Sequence, residues 1–467
     1  MDSLVERLVK VVPSERQIKW QQLEFTAFLH YGINSFYDRE WGTGKEDISV
    51  FHPKNLDTDQ WCEALKAAEI KACIITAKHH DGFCLWDTAY TDHSVMHTPF
   101  KKDIVAELAK SCKKYGLKFG VYLSPWDRHE ESYGKGKEYD DFFCGQLTEL
   151  LTNYGEIYTV WFDGACGEGK NGKKQIYDWD RYYKVVRSLQ PEAVISICGP
   201  DVRWCGNEAG ECRESEWSVV PASLFSQKYI QEHSQQEDSE EFRQKGLTEQ
   251  TKDLGSREVV KDTEELIWYP AEVDVSIRPG WFHHDNEDDK VKSLEVLKEI
   301  YLQSVGGNSV LLLNIPPHRD GYITEQDRTR LQELGDFIRN DFKDNLMTSN
   351  VTATSTDKGT DAKNIVSHDE SYWKSEDYID GCRITVDLGQ PKEIKYVVLQ
   401  EQIRLSQRVE SFYVEGELKN GKPKVLYRGT TIGYKRICPI EPIEVSKVHV
   451  VFEKFRKSPT LKHMAIY

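Results

Sequence analysis

The apolar run Ile157-Tyr158-Thr159-Val160-Trp161-Phe162 gives way to Asp163 and then Gly164. A carboxylate at the mouth of a buried strand is held rigidly and can be reached by a ligand, which suits a nucleophile. Taken alone, an aspartate after a strand is more often a turn or cap residue. Asp163 is not alone. His30 follows Phe25 to Leu29, and Lys78-His79-His80-Asp81-Gly82-Phe83 follows Ala72 to Ala77. Tyr122 and Ser124-Pro125-Trp126 end Leu117 to Leu123, and Ala193 to Cys198 leads into Gly199-Pro200-Asp201-Val202-Arg203-Trp204 and Asn207-Glu208. Packing alone does not place polar and aromatic residues at one run end after another.

Three chemistries compete for such a cluster. The pair His79-His80 suggests a metal, but neighbouring strand residues point to opposite faces, and no HxH or HExxH spacing occurs. Serine catalysis lacks a GxSxG elbow, and Cys166 lies in a glycine-rich loop without an obvious base. Carboxylates fit better. Cleavage of a glycosidic bond needs one acid to protonate the leaving oxygen and a second carboxylate to attack the anomeric carbon or activate water. Histidine, tryptophan and tyrosine would then bond hydroxyls and stack on the ring.

The elements that must position these residues follow from periodicity. From about residue 20 to 340, short apolar runs alternate with amphipathic segments, the pattern of strand-then-helix units on a parallel sheet. Val310 to Leu313 is a further run, with weaker candidates near Trp217 and Val273. Trp61, Ala64, Leu65 and Ala68 follow a cap at Asp57; Ile104, Leu108 and Cys112 run from Asp103 to Gly116. Phe143, Leu147, Leu150 and Tyr154 stop at Gly155, and Trp179, Tyr182, Tyr183 and Val186 precede Pro191. About eight units predict an α/β fold, a (β/α)8 TIM-like barrel whose chemistry gathers at strand ends. The rival doubly wound sheet lacks its glycine fingerprint, since Leu29-His30-Tyr31-Gly32-Ile33-Asn34 follows the first strand.

The polar stretch 227–265 reads as a long solvated insertion close to the site. Composition changes at Asn345 to Ser355, which divides a catalytic unit, 1–344, from a second unit, 345–467. There the period drops to two, with Ile384, Val386 and Leu388, then Ile394, Tyr396 and Val398, then Val448, Val450 and Phe452, predicting a C-terminal antiparallel β-sandwich.

The net charge of -16 excludes a phosphate-tracking surface, so neither nucleic acid nor an anionic membrane is expected as a partner. No run is long and apolar enough to span a bilayer. The 11 Cys are unpaired in pattern, which implies neither a disulfide framework nor a zinc site. Met1 to Arg16 is mixed and charged and shows no secretory signal; the reading is cytoplasmic, or periplasmic or secreted if a leader has been removed. Oligomeric state is not legible.

These motifs, with Ser276-Ile277-Arg278-Pro279-Gly280-Trp281 and Leu312-Leu313-Asn314-Ile315-Pro316-Pro317, together resemble the α-L-fucosidases of glycoside hydrolase family 29 over most of residues 15–340. The resemblance implies a retaining double displacement without cofactor or metal, with Asp163 as nucleophile. It places His30, His79, His80, Tyr122 and Trp161 around the fucose, with Glu40 and Trp41 on its hydroxyl side and Arg203 or Arg278 orienting the carboxylates. The string from Gly199 to Glu208 is similar to the branch acting on α1,3- and α1,4-linked fucose of Lewis-type glycans, which makes Glu208 the acid/base, with Glu216 and then Glu272 in reserve. That role needs a raised pKa, and Trp204 or Trp217 could supply an apolar wall. The implied function is an exo-α-L-fucosidase acting on fucosylated oligosaccharides and glycoconjugates; the alternatives are a non-catalytic fucose lectin and a metal-dependent hydrolase. Ile384-Thr385-Val386-Asp387-Leu388-Gly389 and Ile394 to Val398 resemble a discoidin-like, carbohydrate-binding sandwich, for which structural support is preferred because no aromatic platform falls on its loops.

Overall fold

The computed structural model describes residues 3–248 and 251–467. Eight strands form one sheet: β1 (Phe25–Leu29), β2 (Ala72–Lys78), β3 (Lys118–Leu123), β4 (Thr159–Phe162), β5 (Val194–Ile197), β6 (Arg203–Trp204), β7 (Ala271–Ser276) and β8 (Ser309–Asn314). Their order is β5-β4-β3-β2-β1-β8-β7-β6, and every pairing is parallel. A parallel bridge between Ser196 and Val202 joins the two end strands, so the sheet is a nearly closed TIM-like barrel.

Alternation along each strand divides the core. Phe25, Ala27, Leu29, Cys73, Ile75, Val121, Val160, Phe162, Val273, Val275, Leu311 and Leu313 face outward, in one cluster with the helix stripes. Phe28, Ile74, Tyr122, Trp161, Ile197 and Leu312 fill the interior. Helices Thr58–Ala67, Ile104–Tyr115, Lys137–Asn153, Trp179–Leu189, Leu294–Ser304 and Glu325–Asp341 surround the strands. Asp57 and Asp103 accept the first free N–H groups of their helices, and Gly116, at φ +70°, closes the second; a residue with a Cβ would be strained there.

Two sequence expectations need correction. The strand expected near Trp217 is not in the barrel: Val219–Pro221 pairs antiparallel with Leu266–Trp268 outside it. The missing barrel strand is β6, too short and polar to read as an apolar run. The stretch 227–265 carries short helices Gln227–His233, Glu240–Gln244 and Arg257–Val260, while Glu249 and Gln250 lie outside the described residues. No helix among the described residues is long and apolar enough to cross a membrane.

Beyond the last barrel helix, Cys382–Gln400, Arg436–Phe455, Val409–Glu417 and shorter strands build an antiparallel sheet, with Trp373–Lys374 and Thr460–Leu461 as a second small sheet. Ile384, Val386, Leu388, Ile394, Val448, Val450 and Phe452 are buried on its inner face, as alternation predicts. The pattern breaks at register shifts between Asp387 and Lys392 and between Ile394 and Tyr396. Past them Val397 and Leu399 take the inner face, and Val398 packs into the barrel's outer cluster with Ile437 and Ala465. Backbone bonds stitch the same seam: Asn308 donates to Lys435 at 3.0 Å and Ile437 to Gly306 at 3.0 Å. A Cβ on Gly306 would collide with Ile437. Replacing Ile437 by Ala should cost about 2–5 kcal/mol of unfolding free energy, with kcat/KM unchanged, as read by denaturant melts and steady-state kinetics.

Candidate active site

The C-terminal ends of the barrel strands surround a hollow of about 610 Å³ lined by His30, Glu40, Trp41, His79, His80, Tyr122, Trp161, Asp163, Trp204, Glu208, Asp274 and Trp281, among others. Alternation explains much of the set: Tyr122, Trp161, Trp204 and Asp274 occupy inward positions, and His30 and Asp163 continue the inward phase one residue past β1 and β4. His79 and His80 both line the hollow, contrary to the expectation of opposite faces. The physical reason is that β2 ends at Lys78, after a register shift against β3, so the chain turns and the period-two rule no longer applies; the two rings lie 4.1 Å apart.

Asp163 is fixed through both oxygens. Ala165 N donates to Oδ1 at 2.9 Å and Tyr122 Oη to Oδ2 at 2.8 Å, with His80 Nε2 3.8 Å from Oδ2. Gly164 lets Ser234 Oγ approach closely, since a Cβ there would displace that hydroxyl, which the insertion brings to the rim beside Gln235. The insertion is therefore part of the site as well as solvated surface.

The histidines are neutral acceptors. Asn314 Nδ2 donates to Ser276 Oγ (2.9 Å) and Trp281 O (2.8 Å), so its Oδ1 accepts from His30 Nδ1 at 2.8 Å, leaving His30 Nε2 with its lone pair. Ser124 Oγ donates to Trp126 O and lies 2.7 Å from His80 Nδ1, which fixes the same tautomer there. Burial pushes His30 down to about 3 and His80 to about 4, the latter against the opposing pull of Asp163. Burial also holds His79 well below the ordinary imidazole value, and its Nδ1 has no hydrogen-bond partner among the described residues.

The second carboxyl is Glu208. Its Oε2 accepts from Trp281 Nε1 at 3.1 Å, and burial, then the charge of Asp274, push it up to about 8 against that bond, with Asp163 adding to the rise. Asp274 accepts from Trp204 Nε1 at 2.7 Å and is raised well above the aspartate range by burial and then by Glu272. Trp204 thus lines the hollow but bonds Asp274, whereas Trp217 is remote, stacked under Arg456 at 4.0 Å. Trp281 supplies the contact to Glu208 that was sought from those two.

The reserve acids do not reach the hollow. Glu216 is clamped by Arg203 Nη2 and by Arg213 Nη1 (3.1 Å); burial would raise its pKa, but the guanidiniums outweigh burial and lower it. Glu272 lies beneath the floor, accepting from Trp161 Nε1 at 2.8 Å, with burial raising it to about 7. Nor do the arginines reach Asp163 or Glu208. Arg203 is held by Glu216, Trp217 O and Tyr269 O. Arg278 is fully buried on Asp327, Asp288 and Thr324. Glu40 acts on the loop: its Oε2 accepts from Trp281 N at 3.0 Å and its Oε1 meets His284 Nε2 at 2.9 Å. Trp41 stands edge-on to His80, 5.2 Å between centroids.

Among the described residues one group has metal-like spacing, His283, Asp285 and His318, outside the hollow. Asp320 N donates to His318 Nδ1, which leaves the proton on Nε2, and Arg319 stands 3.6 Å from Asp285. His318 Nε2 stands 3.4 Å and His283 Nδ1 3.8 Å from Asp285 Oδ1, while His283 Nε2 has no hydrogen-bond partner among the described residues.

Comparison with known proteins agrees with this geometry. The family model described as Alpha-L-fucosidase matches residues 17–342. The Alpha-L-fucosidase 1 of Arabidopsis thaliana is 38% identical over 98% of this chain and 87% of its own. A Bacteroides ovatus protein of known crystal structure is 48% identical, with a TM-score of 0.85 over 99% of this chain and 75% of that one. A Ruminococcus gnavus GH29 fucosidase, solved in complex with fucose, is 29% identical, with a TM-score of 0.82 over 98% of this chain and 95% of its own. The chain belongs to the α-L-fucosidases of glycoside hydrolase family 29.

Proposed function

We propose that this chain is a retaining exo-α-L-fucosidase that releases terminal α1,3- and α1,4-linked fucose from branched, Lewis-type glycans, with Asp163 as nucleophile and Glu208 as acid/base. One observation carries the reading: two carboxyls from different barrel loops face a single hollow, one bonded through both oxygens and the other raised to about 8. Asp163 attacks the anomeric carbon as the bond to the leaving oxygen breaks, and Glu208 gives that oxygen its proton. Glu208, now a carboxylate, takes a proton from water, whose oxygen attacks the anomeric carbon and frees Asp163. The Nε2 lone pairs of His30 and His80 accept fucose hydroxyl protons, His79 contributes its unpartnered nitrogen, and Trp161 offers an apolar face.

The linkage assignment rests on the likeness of the Gly199 to Glu208 string to that branch. Residues 1–344 are assigned to catalysis and 345–467 to a discoidin-like sandwich that supports the barrel, a role favoured by the burial of Val398, Ile437 and Ala465 against it.

Because Glu208 must hold a proton, kcat/KM should be level below its pKa and fall tenfold per pH unit above about 8. A profile that declines only above pH 10 removes Glu208 from the acid's role. Glu208→Gln should lose about 10²–10⁴-fold on a Lewis trisaccharide and far less on fucosyl fluoride, whose leaving group needs no proton.

Asp163→Ala should abolish turnover, by about 10⁴-fold or more, while fucose still binds by calorimetry. Wild-type protein that binds fucose and hydrolyses nothing would be the lectin instead, and loss of activity on chelation would point to the metal enzyme. NMR of the first product should show α-L-fucose, and a Lewis trisaccharide should be cleaved faster than an α1,2-fucosylated one. β-L-Fucose would overturn the retaining mechanism, and preference for the α1,2 substrate would overturn the branch.

A further inference from the structure

Glu208 and Trp281 border a second space. They line the hollow on one side and, on the other, a cleft of about 780 Å³ that also includes Arg243 from the insertion and Lys290 and Lys292 from the loop after Trp281. Joined by the indole bond, the two residues form the shared rim of both spaces. A general acid flanks the scissile bond on the side of the leaving oxygen, so the space that Glu208 borders outside the hollow adjoins the leaving saccharide.

The charges there are unusual for a chain of net charge -16. Arg278 also borders the cleft but is fully committed to Asp327 and Asp288. The others are not. Lys292 donates to Ser276 O at 2.7 Å and has no carboxylate within ion-pair distance among the described residues; burial lowers its pKa against the more distant charge of Glu287. Lys290 is exposed and makes no ion pair among the described residues. Arg243 reaches Asp238 through Nη1 at 3.0 Å, but its buried Nε has no partner. Against them stand Glu240, which accepts from Gln244 at 2.9 Å, and Glu208, which keeps its proton in the acid's role.

We infer that this cleft is an aglycone subsite for an anionic substituent, a carboxylate or sulfate ester carried by the saccharide that bears the fucose. The inference rests on the role proposed for Glu208. Lys290 and Lys292 donate to the anion, the charge of Arg243 adds to the attraction, and the neutral sugar ring lies along Trp281.

The test compares kcat/KM for a neutral Lewis trisaccharide with its 3′-sulfated and 3′-sialylated derivatives, at low salt and at 0.5 M NaCl. At low salt at least one derivative should exceed the neutral sugar by about tenfold, a preference that high salt reduces; which derivative gains identifies the anion. In the double variant Lys290→Ala, Arg243→Ala, the ratio of anionic to neutral kcat/KM should fall toward one. A wild-type ratio of one or less for both derivatives, or a ratio that the double variant leaves intact, overturns the inference while neutral hydrolysis still upholds the fucosidase. Failure to cleave any of the three substrates, or fucosyl fluoride, overturns the fucosidase reading itself.

Discussion

Three indole N–H groups end on three carboxyl oxygens within and around the barrel interior, Trp161 on Glu272 beneath the floor of the hollow, Trp204 on Asp274 and Trp281 on Glu208, and the acidity of the site depends on that arrangement. An indole donates one neutral hydrogen bond and otherwise presents a ring that excludes water. A carboxyl against it loses more hydration than the bond returns, so protonation becomes the cheaper state. Glu216 is the internal control. It is more deeply buried than Glu208, yet two guanidiniums drive its pKa down. Residue type does not distinguish the two glutamates; the neighbour does. Asp163 differs again: donors hold both of its oxygens at the edge of the hollow.

Placement of these groups follows from a simple rule and its controlled failures. Period-two alternation in parallel strands sends Tyr122, Trp161, Trp204 and Asp274 inward without special geometry. Where the strand ends, other devices take over. Ile197, at φ +70°, is a β-branched residue in the left-handed region, costly by about 1–3 kcal/mol, and it lines the hollow where the chain turns from β5 toward β6. Ile197 N donates to Val202 O at 3.1 Å and Cys198 N to Phe162 O at 3.1 Å, so neighbouring strands hold the turn. The tight connection leaves no helix between β5 and β6, which frees the chain after β6 to carry Glu208 over the barrel mouth.

What was legible in the sequence divides along the same line. Strands with continuous apolar runs, helices with capped stripes and the residues just past them could be read, including most of the hollow's lining. β6 could not, because Arg203 and Trp204 form no run, and Trp217 drew attention through its bulk. The outward arginines misled for a related reason: a charged residue near a motif gives no sign of whether its partner is the substrate or a buried aspartate such as Asp327. Asp274 and Asn314 were missed although signals existed. Glu272-Val273-Asp274-Val275-Ser276 alternates acid and β-branched residues on a strand whose one face must be the barrel interior, and Asn314 ends an otherwise apolar strand. Trp281's bond to Glu208 has no sequence signal, since it joins loops from β7 and β6.

The C-terminal strands reach the site through a continuous path of backbone. Gly306 O accepts from Ile437 N, Gly307 forms a bridge with Arg436, Asn308 N donates to Lys435 O, and Asn308 Oδ1 accepts from Tyr434 N at 2.7 Å. Asn308 Nδ2 in turn donates to Glu216 O at 2.9 Å. β8 starts at the next residue and ends, about 17 Å further on, at Asn314, which sets the His30 tautomer and grips Trp281 O. Paired along its length with β1 and β7, β8 has no freedom to slide, because a one-residue slip would turn Asn314 out of the barrel and Leu313 into it. The sandwich therefore pins the foot of the strand whose tip, Asn314, orients the His30 imidazole and grips the Trp281 loop, without itself lining the hollow.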